Sequence, residues 1–573
     1  MMKTIASGTI ILLLLVSGIS AQSFNDGMDL YNNEQYQEAA ELFSQIGDQR
    51  SQLFAGKSHL ALSHYPMANI YLNRALNGGM ESVRHEALYT LALSHFEIKN
   101  FDRSLTYLHE LIESRNQTGL RNDARRFYSQ ILDYLTTGQR FELLHRLDIP
   151  AIRFDLVIRS RTYLDNDTFQ ILANELLKIT EDPEMISRIE SELRITTTRR
   201  STAAFPTAPI GTVYNVGVIL PEFDETDPDF TISRNLYFGM LLAADDFNSR
   251  SIDQKVRLHF RNSAEDPDIT ARAFTELIWS NYVDAVIGPL FSEPATRMAR
   301  LSEDNRIPML APLANSDQLN RDYNYTFQLN PTFETHGKEM ARFAVQELRL
   351  NSLAIITEPD SPGRASALAF RHEAERLGAN ITYYIEEDFA ASGYDFTGVT
   401  EVFTPDEVLI DSLGYKRSQA IYAPFTGQAS TTMMNLMLNA LESMRSELVI
   451  LGNEELEFSE LTPFQQSFFE IYYTQSFNDD LDLSALSFFE EDYETRFGII
   501  PDRFSRLGYD TATYLFESLE RAGNPEYLER ALRTSPIHDG LAIRIQFSGN
   551  RINQHLYIRP HSDRAKSKLS NRN

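Results

Sequence analysis

The stretch Asp284-Ala285-Val286-Ile287-Gly288-Pro289-Leu290-Phe291-Ser292-Glu293-Pro294 narrows the possible folds more than any other part of the chain. Its apolar run stops at Gly288-Pro289, a short loop with a hydroxyl follows, and the next residues can start a helix. Buried parallel strands read as short apolar runs, and open α/β folds bind ligands at the carboxyl ends of such strands. The same pattern holds on either side. Strands are expected over 214–221, 256–260, 284–287 and 306–312, with helices over 236–247 and 269–281 between them. The alternation restarts after 327–335. Helices follow over 336–348, 364–377 and 433–444, and strands over 352–356, 381–385, 419–422 and 448–451. Strands alternating with helices imply parallel sheets with helices on both faces, and the restart implies a second lobe of the same construction. Late in the chain, 489–497 and 507–522 read as helices. Residues 541–547 and 555–558 read as a closing strand pair across Ser548-Gly549-Asn550, and 561–573 as a polar tail.

The residues before 213 read differently. Lys3, the apolar core Ile10 to Val16 and the small residues Ser17 to Ala21 form a secretory signal over 1–21, too short for a comfortable span. Residues 22–198 read as helical, and the first part repeats itself. Tyr36-x-x-Ala39-Ala40-x-x-Phe43 is echoed by Phe101-x-x-Ser104-Leu105-x-x-Leu108. His59-Leu60-Ala61-Leu62-Ser63-His64-Tyr65 recurs as Tyr89-Thr90-Leu91-Ala92-Leu93-Ser94-His95-Phe96. This resembles the tetratricopeptide repeat, a helix–turn–helix unit of about 34 residues. The unit near Tyr65-Pro66-Met67 is shortened, and the tryptophan of the family pattern is missing. Such repeats serve as partner-binding grooves or as helical spacers, and both readings stand. Residues 199–212, rich in Thr, Ser, Ala and Pro, form a linker.

With 573 residues the chain exceeds a single core. Its net charge of −27 argues against nucleic acid or an anionic membrane surface as a partner. The absence of cysteine excludes disulfides, thiolate zinc sites, thiol catalysis and lipid attachment through cysteine. A large exported chain without disulfides suits a bacterial envelope, as a periplasmic or secreted protein. Four sequons, at Asn116, Asn166, Asn324 and Asn380, are too short a pattern to reverse that.

Residues 213–560 resemble the type I periplasmic solute-binding proteins of the branched-chain amino-acid class. Four places carry the likeness. They are Val216-Gly217-Val218-Ile219-Leu220-Pro221 with Gly239-Met240 and Ala243-Ala244; Ala285 to Ser292; Ile307-Pro308-Met309-Leu310-Ala311-Pro312 with Asn315; and Tyr493, Phe497-Gly498, Pro501, Phe504 and Gly508-Tyr509-Asp510. The resemblance implies a multidomain chain, an α-helical repeat region followed by a two-lobe α/β binding domain whose lobes close on a ligand. It implies ligand contacts at Ser292, at Leu313 and Asn315 on the next loop, at an aromatic Phe425 and at an acidic Glu454. Two departures count against an amino-acid ligand. Phe333 stands where such binders carry an acidic residue, and Pro362-Gly363 replaces a tyrosine–glycine pair.

No enzyme signature, metal motif or cofactor fingerprint is present. His372-Glu373 lacks the second histidine of a zincin, and there is no G-x-S-x-G, Walker or dinucleotide motif. The acidic runs 222–229 and 478–482 lack the glycine turn and terminal Glu of an EF-hand loop and read as solvated surface. The expected role is an exported, non-catalytic binder of amino acids or another small polar or anionic solute, with an ABC permease or envelope protein as receiver. The alternative is an envelope scaffold resembling the lipoprotein activator of peptidoglycan synthases, a family anchored through a cysteine this chain lacks.

Overall fold

The computed structural model describes residues 24–114, 119–161, 166–194, 205–227, 229–478 and 483–570. The expected signal over 1–21, linker residues 199–204, the Asn116 sequon and positions 479–482 of the second acidic run lie outside the described residues. The chain divides into two units. One holds the residues up to Tyr214 with Asn248–Arg257 and Leu519–Leu528, and the other holds the rest.

The first unit begins with helices α1 (24–32), α2 (Tyr36–Ile46), α3 (Gln49–Ala61), α4 (Tyr65–Leu76), α5 (Glu81–Glu97) and α6 (Phe101–Glu113). Three turns repeat the same geometry. Glu34, Ser63 and Lys99 each take a positive φ, of 61°, 58° and 58°. The next N–H in each case, of Gln35, His64 and Asn100, returns to the carbonyl five residues back, on Leu30, His59 and His95. That is the 6→1 bond of a Schellman ending, which satisfies the last carbonyls of one helix and turns the chain into the next. Tyr36, Tyr65 and Phe101 then open the following helices. Small side chains let successive helices approach: Ala39, Ala55, Ala68, Ala87 and Ala92 are fully buried, and the Ser104 hydroxyl donates to the Ala92 carbonyl at 2.8 Å.

Helices α7 (Gly119–Tyr134), α8 (Thr137–Arg146), α9 (Pro150–Ser160), α10 (Asn166–Ile179) and α11 (Pro183–Leu193) continue the unit. Its other two segments are tied in by polar contacts. Arg257 Nη2 donates to the Tyr65 hydroxyl at 2.9 Å, and the Thr137 hydroxyl donates to Glu526 at 3.1 Å. Burial pushes the neighbouring Glu97 carboxyl up to about 7.

The second unit carries two sheets. The first has the order β2-β1-β3-β4-β5, built from β1 (Thr212–Leu220), β2 (Gln254–Asn262), β3 (Ala285–Ile287), β4 (Met309–Ala311) and β5 (Thr326–Gln328). Val216, Gly217 and Val218 pair in parallel with Ala285, Val286 and Ile287, and β3, β4 and β5 continue in parallel. Helices α12 (Phe230–Arg250), α13 (Pro267–Asn281) and α14 (Ser292–Asn305) lie between these strands in sequence.

The second lobe begins at α15 (Phe333–Arg342), followed by β6 (Ser352–Thr357), α16 (Pro362–Arg376), β7 (Asn380–Glu386), α17 (Thr397–Thr400), α18 (Glu407–Leu413), β8 (Ala420–Tyr422), α19 (Ser430–Met444), β9 (Val449–Gly452), α20 (Pro463–Phe468) and β10 (Glu470–Gln475). The chain then returns to the first lobe with α21 (Leu483–Phe497) and α22 (Arg503–Ala522). A β-carbon on Gly508 of α22 would lie 1.9 Å from the Leu236 carbonyl oxygen of α12, and one on Gly239 would lie 2.0 Å from that of Ser505. These two helices touch backbone to backbone, which is what the Gly239 and Gly508 positions are for. In the same helix, Asp510 is buried and accepts the N–H groups of Leu541, Ala542 and Ile543; burial still pushes its carboxyl up to about 6. After α23 (Leu528–Arg533), short strands β11 (His538–Asp539) and β12 (Arg544–Ile545) pair with each other. Strand β13 (Tyr557–Pro560) pairs antiparallel with β10, giving the second sheet the order β13-β10-β9-β8-β6-β7.

Two expectations are corrected here. Residues 541–547 and 555–558 do not pair with each other: β12 takes β11 as its partner, while β13 adds to the second lobe's sheet. The polar tail is also largely structured. Asp563–Ser570 forms helix α24, which buries Ala565, while Lys568 forms an ion pair with the buried Glu470.

Three crossings join the lobes: after β5, after β10 and between β12 and β13. Asn553, fully buried, ties two of them. Its N–H donates to the Gln328 carbonyl at 2.9 Å and its amide to the Leu329 carbonyl at 3.0 Å. The position that most constrains the first lobe is Gly288, at φ +104°, where a β-carbon would lie 2.0 Å from the Ile219 carbonyl oxygen. Replacing Gly288 by Ala combines a backbone clash with a left-handed conformation, so we expect G288A to lose about 2–4 kcal/mol and to melt well below the parent by calorimetry.

Candidate functional site

The expected contacts of the first lobe sit at the carboxyl ends of adjacent parallel strands. Ser292, after β3, is the first residue of α14 and half-buried. The N-cap is Phe291, in extended backbone, and its side chain makes no capping bond. The Ser292 hydroxyl makes no hydrogen bond to a described residue, so the serine is not spent on capping its own helix. Leu313 and Asn315, after β4, are half-buried. The Leu313 carbonyl accepts from the Asn330 amide at 3.0 Å, and the Asn315 side chain has no hydrogen-bond partner among the described residues.

The second lobe's residues are more committed. Phe333 opens α15, and its carbonyl accepts from the Ser366 hydroxyl at 2.6 Å. Phe425 is 3 % exposed, with ring centroids 5.8 Å from Phe389 and 5.9 Å from Phe396. Its ring therefore belongs to this lobe's core, where the resemblance implied an aromatic wall. Its carbonyl accepts from the buried Asn453 amide at 3.0 Å, which anchors the loop carrying Glu454. Glu454 is half-buried and accepts the Ser476 N–H at 3.4 Å.

Sequence reasoning missed the polar groups behind these side chains. His336 is almost fully buried on α15, hydrogen-bonded through Nδ1 to the Thr474 hydroxyl at 2.8 Å and through Nε2 to that of Ser476 at 3.4 Å. Burial pulls its pKa below the ordinary value, and the Glu454 charge opposes that shift. Glu454, Ser476, His336 and Thr474 thus form one network, and the resemblance that named Glu454 gave none of these surroundings. Asp317 accepts the Glu334 N–H at 3.4 Å, and burial raises its pKa. Asn330 is 7 % exposed, and its Oδ1 has no partner among the described residues. Only the pairing of a buried amide with a loop carbonyl would have revealed Asn330, and that pairing spans 17 residues.

Two parallel α/β lobes, joined by three crossings and carrying loops at strand carboxyl ends, define a bilobal binding fold. The family described as periplasmic binding protein matches residues 231–561, more than half of the chain, and the chain belongs to that family. The chain is also similar to solved structures. A putative branched-chain amino acid ABC transporter protein from Rhodospirillum rubrum is 21 % identical over 60 % of this chain and 96 % of its own, with a TM-score of 0.49. A substrate-binding protein from Desulfitobacterium hafniense, in complex with Leu, is 18 % identical over 61 % and 98 %, with a TM-score of 0.45. One from Rhodopseudomonas palustris, in complex with 3,4-dihydroxybenzoic acid, is 17 % identical over 61 % and 93 %, with a TM-score of 0.41.

The buried histidine gives the unit a pH signature. His336 has its folded pKa below 6.5, so the unfolded chain binds the extra proton more readily. Stability contributed by the neutral imidazole is present above about pH 6.5 and is lost as pH falls toward the folded value. His336→Gln keeps a hydrogen-bonding side chain without that titration. Its melting temperature is expected to fall less steeply than the parent's between about pH 6.5 and 5, measured by calorimetry across that range.

Proposed function

We propose that this chain is an exported, non-catalytic ligand-binding protein whose two lobes close on a small polar or anionic solute for an ABC transporter or an envelope receiver. Membership of the periplasmic binding protein family supports this and implies a periplasmic location. Among the described residues, no helix is long and apolar enough to cross a membrane. The observation that carries the reading is the start of α14. The first N–H groups of a helix have no partner within it, and the helix dipole makes that end favourable to negative charge. Here no side chain caps it, and Ser292 adds a hydroxyl. A carboxylate or another oxyanion answers both. The Asn315 amide and the unpaired Asn330 Oδ1 offer further polar contacts in the lobe that carries Ser292 and at its crossing. Across the cleft Phe333 is apolar and Phe425 is packed away, so a full amino-acid clamp is not what these residues build.

Thermal-shift screening with amino acids, amides and small carboxylates tests the proposal. A true ligand at about a hundred times its Kd adds roughly 2.7 kcal/mol. Ser292→Ala removes one hydrogen bond to a charged group and is expected to weaken binding about tenfold. If no compound in such a library moves the melting temperature, the solute reading fails.

A second reading, the envelope scaffold, is favoured by one observation in the first unit. Met67 and Ile70, three apart on α4, are 41 % and 46 % exposed. Apolar side chains left open on one helix face mark partner surfaces. The double variant Met67→Glu, Ile70→Glu in the full chain is expected to lose any specific envelope partner captured by the parent, with the melting temperature unchanged. An identical captured set for parent and variant would remove this reading.

A further inference from the structure

A cavity of about 240 Å³ opens on the first lobe between the loop after β1, the start of α12 and the far end of β2. Its walls are Phe223, Phe230, Tyr237, Phe238 and Phe260, and Arg234 lines it as well. None of the expected cleft residues takes part. All five rings are half-buried, so each keeps apolar area that a ligand could cover. Tyr237 and Phe260 brace each other at 5.1 Å between centroids, and Phe238 is held from behind by Phe497, stacked at 4.4 Å.

Size limits the occupant. Small-molecule sites run to about 300–1,000 Å³, while an apolar cavity of about 150 Å³ already holds benzene. A single ring with one small substituent falls between those bounds.

Charge selects the substituent. The guanidinium carbon of Arg234 lies 4.9 Å from the Phe230 centroid, and Nε donates to the Asn235 side-chain oxygen at 3.0 Å. Asn235 is itself buried and held by Asp502 at 2.9 Å. The arginine is therefore oriented by a ring face and a fixed amide, yet its Nη1 and Nη2 make no hydrogen bond to a described residue. Glu222, also at the cavity, is exposed, and its carboxylate accepts from the Asn262 amide at 3.4 Å. In a chain of net charge −27, a preoriented guanidinium with no carboxylate partner among the described residues can take one from a ligand.

We propose that this cavity is an accessory binding site for a small aryl carboxylate, one aromatic ring bearing one carboxylate, with Arg234 as the anchor. The ring would pack among the aromatic walls and the carboxylate would take the free edge of the guanidinium. The site lies wholly within the first lobe and does not depend on the cleft reading.

Calorimetric titration of the full chain with benzoate is the test, with benzamide and cyclohexanecarboxylate as probes of the charge and of the ring. Benzoate is expected to bind more tightly than either. Arg234→Gln is expected to weaken benzoate about tenfold or more, and Arg234→Lys, which keeps the charge but not the fork, to fall between. Tyr237→Ala serves as a second variant that leaves the arginine in place and is also expected to weaken binding. Melting temperatures of all variants check that the lobe is folded. Ser292→Ala and Glu454→Gln serve as the cleft variants that locate the ligand. Benzoate binding lost in those two but kept in Arg234→Gln would place the ligand in the cleft and overturn the proposal. So would the absence of any binding heat at millimolar benzoate, or equal affinity for benzamide.

Discussion

The first lobe depends on one approach of backbone to backbone. Gly288 passes so close to the Ile219 carbonyl that no side chain fits between them. Strand β3 can then lie in register beside β1, Val218 opposite Ile287, and end in a loop whose next helix starts at Ser292. The loops that could touch a ligand take their positions from that contact. The Gly239 and Gly508 pair does the same for the helix layer, bringing α12 and α22 together at backbone distance. Close packing of this kind is intolerant of added atoms, since interiors have no spare volume to absorb them. A loop set on such a base is placed by the core and not by its own few contacts.

Much of this was legible because burial leaves a mark on composition. The strands over 214–221 and 284–287 are apolar because both faces of a parallel sheet are covered. The repeat in the first unit was visible in the shared spacing that follows Tyr36 and Phe101, although the turn at Tyr65 was not, and the positive φ residues Glu34, Ser63 and Lys99 have no glycine to announce them. What escaped was held by long-range pairing. Strand β10 carries Glu470, buried because Tyr472 and Lys568 satisfy it, one of them 98 residues away. Helix α24 has a polar sequence, and its few buried positions make sense only once β10 and β13 are in place. Asn553 looks like any loop asparagine until its amide meets the Leu329 carbonyl 224 residues earlier.

The site was legible in the same uneven way. Ser292, Leu313 and Asn315 came from the family resemblance, and the structure sets them in the stretches that follow β3 and β4. Phe425 is less settled by its position, because an aromatic after a strand serves equally as a cleft wall or a core residue, and contacts with Phe389 and Phe396 decide between the two. Nothing in the sequence around His336 marks it, although its bonds to Thr474 and Ser476 put it in one network with Glu454.

That difference between the lobes bears on how a ligand would be held. In the first lobe, Ser292 and Asn315 keep polar groups uncommitted. In the second, the Phe333 and Phe425 carbonyls and the Glu454 carboxylate are already engaged. A group that must first break a hydrogen bond contributes only the difference between the old partner and the new. Initial capture under the solute reading therefore falls to the first lobe, and the second contributes by covering the ligand. Any coupling of that closure to Glu454 passes through a histidine with almost no exposure to water. A charge placed beside Glu454 would change the balance on His336, and the network would register the ligand's charge as well as its shape.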